Sequence, residues 1–90
     1  MSIDRLGTIG AEVAMKAAAD YMRAKGIVWT DAVITAVTDA LRVTCKAAVG
    51  PALDDAKAAF EAGMPDAAQA TFLASMRLAG IEAVKLAVTI

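Results

Sequence analysis

The C-terminal segment of the chain, residues 65–90, reads PDAAQATFLASMRLAGIEAVKLAVTI. Apolar residues recur in it with spacings of 4, 3, 4, 3 and 4, the heptad pattern of a helix that packs along another helix. This seam consists of Phe72, Met76, Ala79, Ala83, Leu86 and Ile90. A second apolar arc follows the same segment, and one small bundle cannot easily cover both arcs. We therefore predict a C-terminal helix, the longest of the chain, whose seam lies in an oligomer interface.

Glycine and proline divide the rest of the chain. Gly26 follows a basic helical turn, which is typical of a helix C-terminus. Gly50 and Pro51 predict the end of one helix and the start of the next, and Gly63 and Pro65 repeat that pattern. The result is an all-α prediction, one small four-helix domain over residues 1–90 with short Gly/Pro connections. The predicted helices span about 3–25, 31–49, 51–62 and 65–88.

Two local features bear on helix packing. Gly10 shares one heptad position of the first helix with Ala17 and Ala24, so a partner helix could approach closely there. The alternative is that the glycines only mark a frayed helix start. Thr30 is the expected N-cap of the second helix. The preceding Trp29 is either an interface anchor or, as we favour, a staple residue that packs onto the first turn of that helix.

Composition excludes several classes of function. The 90 residues are 59% hydrophobic with a net charge of −1, and the dispersed basic residues disfavour nucleic-acid binding. No run of about 20 apolar residues is present, so no membrane span is expected, and the N-terminus does not resemble a signal peptide. The single cysteine, Cys45, cannot form an intramolecular disulfide. A reducing, cytoplasmic compartment is therefore the expectation.

The chemistry-bearing residues are few. The chain has no histidine, which removes the commonest acid–base and metal-binding group. We interpret Cys45 as a buried apolar residue, and Asp54 and Asp55 as acids that complement a helix N-terminus. Further acids stand three residues before a base and suggest surface ion pairs; they are Asp20 with Arg23, Asp39 with Arg42, and Glu82 with Lys85. We predict no catalytic, cofactor-binding or metal-binding residues and no cofactor.

These observations favour a non-enzymatic structural or interaction protein. It would self-associate as a homo-oligomer, or dock on another helical protein or a larger assembly, through the C-terminal helix. The alternative is a small helical enzyme or small-molecule binder with a site at a bundle or dimer interface. A site lined only by alanine, valine and methionine would leave little trace in the sequence, so the alternative stays open.

Overall fold

The computed structural model describes the backbone of residues 3–88 and the side chains of residues 5–88. This part of the chain is all-α, as predicted, and forms three helices: α1 (Ile3–Ala24), α2 (Asp31–Glu61) and α3 (Pro65–Val88). It measures about 44 × 21 × 19 Å. Helices α1 and α3 run in the same direction and α2 runs opposite to them. None of the described helices is long and apolar enough to cross a membrane.

The prediction of four helices is wrong, because α2 continues through Gly50 and Pro51. Proline inside a helix removes one backbone hydrogen bond, here the bond to the carbonyl of Ala47. Ala47 and Pro51 are both exposed, so water can satisfy that carbonyl. Beyond the proline, Ala52 and Ala56 are buried in the core. The packing of these two alanines stabilises the continuous helix by more than Gly50 and Pro51 destabilise it locally.

The order of helix lengths also differs from the prediction. The C-terminal helix, α3, has 24 residues, whereas the continuous α2 has 31. At about 1.5 Å per residue, α2 extends along the whole long axis of the molecule. It therefore contacts α3 over most of the length of α3, and no separate short helix lies between them.

The other helix-end signals are confirmed. The Thr30 hydroxyl oxygen accepts a hydrogen bond from the backbone N–H of Val33 at 3.2 Å, which caps the N-terminus of α2. Gly26 and Gly63 follow the ends of α1 and α2 with φ angles of 66° and 76°. Glycine adopts these left-handed angles without a steric penalty. Gly26 and Gly63 therefore occupy positions that require a residue tolerant of positive φ. Gly50 does not, because it lies inside α2.

Two apolar clusters form the core. The first cluster lies near the start of α1 and consists of Leu6, Ala14, Ala52, Ala56, Ala68, Phe72 and Met76. The second lies near the end of α1 and consists of Ala18, Met22, Val37 and Val84. Most members of the first cluster are alanines, so the helices lie close together. Between α2 and α3, the Thr44 hydroxyl donates a hydrogen bond of 2.9 Å to the carbonyl oxygen of Ala79.

Helices α1 and α3 approach each other closely at two glycines. A Cβ atom at Gly80 would collide with the carbonyl oxygen of Ala14. A Cβ at Gly10 would lie 2.6 Å from the Phe72 ring and 2.9 Å from Cγ of Met76. The predicted close approach at Gly10 is thereby confirmed, with α3 as the partner helix. Gly10 is buried within α1, so it does not mark a frayed end.

Candidate functional site

The predicted interface seam of α3 lies mostly inside the chain's own core. Phe72, Met76, Ala79 and Ala83 are at most 7% exposed, because α1 and α2 cover them. Leu86 is 56% exposed, and Ile90 lies outside the described residues. The heptad pattern correctly marks a packing stripe, but at its four buried positions the stripe contacts helices of the same chain. Those four side chains are not available to a second molecule in this fold.

A groove of about 590 Å³ lies between α1 and α3. Its apolar floor consists of Val13, Ala17, Ala24 and Ile81, and its polar walls consist of Lys16, Asp20, Tyr21 and Arg77. The groove runs beside the contact between Ala14 and Gly80. There the two backbones touch. A groove with an apolar floor and a few convergent polar groups is the usual form of a binding site.

The charged residues that line this groove include more cations than acids. Asp20 is its only acid, and it pairs with Lys16 (Nζ to Oδ2, 3.2 Å) and with Arg23 (Nη1 to Oδ1, 2.9 Å). The Lys25 ammonium lies 5.7 Å from the centre of the Tyr21 ring, a favourable cation–π distance. Within the described part of the chain, no carboxylate pairs with Arg77. The lining therefore carries two cations, Lys16 and Arg77, and one acid, Asp20, although the whole chain has a net charge of −1.

The observed ion pairs also test the expected surface pairing. The pair between Asp20 and Arg23 is confirmed, as is a longer contact of 4.0 Å between Asp39 and Arg42. All four side chains are more than half exposed. Exposed pairs of this kind contribute little to stability, so the groove cations remain free to exchange partners.

A second, smaller concavity lies between α1 and α2. This cleft has a volume of about 160 Å³ and is lined by Met15, Ala18, Ala19, Met22, Trp29, Ile34, Val37, Thr38 and Leu41. Its side-chain polar groups are the indole N–H of Trp29 and the hydroxyl of Thr38, which donates a hydrogen bond of 2.7 Å to the carbonyl of Ile34. The cleft therefore offers almost no free polar group.

The rim of the cleft is formed by exposed apolar residues. Met15 is 56% exposed, Trp29 49% and Ile34 42%. Trp29 and Ile34 stand on either side of the N-cap of α2, at the positions of a hydrophobic staple, and both line the cleft. This arrangement agrees with the staple interpretation of Trp29 and also leaves part of its ring accessible.

Other chemistry-bearing groups do not converge on either concavity. Cys45 is half-buried and packs against the first cluster. Burial raises the pKa of its thiol, with a side-chain hydrogen bond to Thr44 acting in the opposite direction. Less thiolate is therefore present near neutral pH than for an exposed cysteine. Asp54 and Asp55 are exposed, and no three potential metal ligands cluster among the described residues.

Sequence reasoning identified the polar arc of α1 but not the groove. Lys16, Asp20 and Arg23 lie on one side of that helix, next to Ala17 and Tyr21. Nothing in the spacing shows that α3 would bring Arg77 and Ile81 to the same place, because that depends on how α1 and α3 cross. No known family model, curated protein or solved structure matches the chain.

Proposed function

We propose that this chain is a non-enzymatic helical structural protein that associates with other copies of itself through the groove between α1 and α3. The observation that carries the proposal is the groove itself. Val13 and Ile81 of its apolar lining are partly exposed, and two cations and one acid line it in a chain whose net charge is negative. Arg77 and Ile81 belong to α3, so the C-terminal helix keeps a role in association, but with a different face from the heptad seam.

The size and composition of the chain support association. A 90-residue domain buries a smaller fraction of its surface than a larger one, and oligomerisation is a common remedy for a small core. The core here is built largely from alanine, which removes little apolar area from water per residue. Covering the groove would add apolar burial at about 25 cal/mol per Å². The single cysteine supports a cytoplasmic setting as part of this proposal.

The experiment is a measurement of solution mass by light scattering on a sizing column, over a wide range of protein concentrations. The monomer has a mass of 9.2 kDa. We expect a mass that rises with concentration toward multiples of this value. A mass of 9.2 kDa at every concentration would contradict the proposal.

A second candidate function is the binding of a small apolar molecule in the cleft between α1 and α2. The observation that favours it is the apolar lining of the 160 Å³ cleft. Apolar cavities of about 150 Å³ take up benzene-sized molecules in other proteins. A ligand with polar groups would find few partners, because the Thr38 hydroxyl is already engaged.

The only tryptophan of the chain, Trp29, reports on this cleft directly. Titration with benzene and indole should change its fluorescence and raise the melting temperature. The matched control is Ala19→Leu, which places a larger side chain in the cleft and should abolish both responses. Flat titrations with the unmodified chain, or equal responses in the control, would count against this function.

A further inference from the structure

The charges of the molecule are unevenly distributed along its long axis. The start of α1, the end of α2 and the start of α3 meet at one end. This end has four exposed carboxylates, Asp54, Asp55, Glu61 and Asp66, against only two cations, Arg5 and Lys57. Its net charge is −2, while the rest of the described molecule has seven cations and five carboxylates and a net charge of +2. The groove belongs to the positive part.

An apolar side chain stands at the tip of the acidic end. Met64 follows Gly63 in the turn between α2 and α3 and is 57% exposed. Its nearest charged neighbours along the chain are Glu61 and Asp66, both exposed. Two of the exposed large apolar residues that the structure describes, Ile34 and Met64, have a carboxylate as the nearest charged residue on both sides along the chain, and Met64 is the one that lies at the acidic end.

The backbone of this turn is held in place from both sides. The N–H of Met64 donates to the carbonyl of Ala59 at 2.9 Å, and the N–H of Gly63 donates to the carbonyl of Phe60 at 3.0 Å. The carbonyl of Met64 in turn accepts from the N–H of Ala68 at 3.0 Å. The turn therefore presents Met64 on a fixed backbone, so little backbone entropy is lost when it binds.

The groove complements this turn in shape and charge. Its lining offers the partly exposed Val13 and Ile81 to an apolar side chain, and its walls offer Lys16 and Arg77 to flanking carboxylates. Methionine adapts well to an irregular apolar surface. The groove volume of about 590 Å³ is several times that of one methionine side chain, which leaves room for the neighbouring turn residues.

We propose that the Met64 turn of one copy inserts into the groove between α1 and α3 of the next copy. This inference rests on the proposed self-association and specifies its geometry. The two contacting surfaces are different parts of the molecule, so the interface is head-to-tail and builds either a closed ring or an open chain of copies. Because opposite charges contribute to it, the association weakens as salt is added.

The test uses two single variants of the full chain, one for each surface. Arg77→Glu reverses the charge of the groove wall, and Met64→Ser removes the apolar side chain from the turn. Both positions are exposed, so the helical fold should be retained, as circular dichroism would show. Each variant alone should weaken association by about tenfold or more at low salt. Lys16→Glu provides a second groove variant if Arg77→Glu does not fold.

Mixing the two variants gives the decisive measurement. The Met64→Ser copy keeps an intact groove, and the Arg77→Glu copy keeps an intact turn. A one-to-one mixture should therefore form heterodimers that cannot extend further, with twice the monomer mass in light scattering. Arg42→Glu is the matched control, since Arg42 is an exposed arginine outside the groove; it should associate like the unmodified chain.

The outcomes separate this inference from the proposed function. If the unmodified chain associates but both variants associate equally well, the head-to-tail geometry is wrong and self-association stands. The geometry is also wrong if the mixture gives no dimer at concentrations where the unmodified chain assembles. If the unmodified chain is monomeric throughout, the proposed function itself fails.

Discussion

Helix α1 meets its two neighbours in opposite ways. Against α3 it is in backbone contact, with Gly80 lying directly on the carbonyl of Ala14. Against α2 it stands apart over part of its length and leaves a 160 Å³ apolar cleft, and this is the least extensive of the three helix pairings. Both sides of α1 are apolar. The difference shows that side-chain size at a few positions, not hydrophobicity alone, sets the distance between helices.

The physical reason is visible along α1. Toward α3 it presents Gly10 and Ala14, which are short enough for the axes to approach. Toward α2 it presents Met15 and Met22 together with small alanines. Met22 is buried in the second cluster and Met15 lies at the exposed rim, and the alanines between them do not fill the cleft. The cleft therefore remains open to solvent along its rim.

The largest expected effect comes from breaking the tight contact with Gly80→Ala. The added Cβ meets backbone at Ala14, which cannot rotate away. We expect the free energy of unfolding to fall by about 2–3 kcal/mol, as in other overpacked cores, although alanine is the better helix former by about 1 kcal/mol. Urea denaturation followed by circular dichroism measures this change.

The control for this variant is Gly7→Ala in α1, where an added Cβ meets no atom within 4 Å. It should raise the free energy of unfolding by up to about 1 kcal/mol through helix propensity. Equal stability of Gly80→Ala and the unmodified chain would mean that the backbones of α1 and α3 do not touch at this point.

A smaller loss is expected for Gly10→Ala, which lies in the same contact. Here the added Cβ meets the side chains of Phe72 and Met76, not backbone, and side chains can move. We expect a loss of about 1 kcal/mol in the free energy of unfolding. The double variant Gly10→Ala with Phe72→Leu should be more stable than the two separate effects predict, because they share one space. If the two changes in the free energy of unfolding are simply additive in the double-mutant cycle, Gly10 and Phe72 do not share one space.

The smallest effect, and one of opposite sign, is expected in the cleft. Ala19→Leu adds apolar atoms to existing space and should raise the free energy of unfolding by about 0.5–1 kcal/mol. The fluorescence of Trp29 should shift to shorter wavelength as its surroundings become drier. Ala11→Leu, at an exposed position of the same helix, is the matched control and should change stability by less than about 0.5 kcal/mol. A loss of stability in Ala19→Leu would mean that the cleft is not free space.

The ends of the helices were predictable only where interactions between residues that are neighbours in the sequence determine them. Thr30 caps α2 with its own side chain, and Gly26 and Gly63 occupy left-handed positions. Each of these effects involves neighbouring residues only. Gly50 and Pro51 carry an equally strong breaking signal, yet they lie inside α2. Whether a helix continues past a proline depends on the packing of the residues beyond it, which local sequence does not reveal.

The heptad seam illustrates the same limit for function. Its spacing predicts that Phe72, Met76 and Ala83 are covered, and they are. Periodicity does not say which helix covers them, and in this molecule the covering helices belong to the same chain. The groove was not predictable at all, since its two walls are more than 50 residues apart in the sequence.

Local sequence is sufficient for the all-α class, for the N-cap and the two glycine turns, and for the apolar stripe of α3, because each depends on neighbouring residues or on helical periodicity. Tertiary structure alone decides the number of helices, the partner of the seam, and the placement of Arg77 opposite Lys16. Those outcomes depend on contacts between distant segments, where the size of Gly80 and Ala14 on two different helices sets how closely they pack.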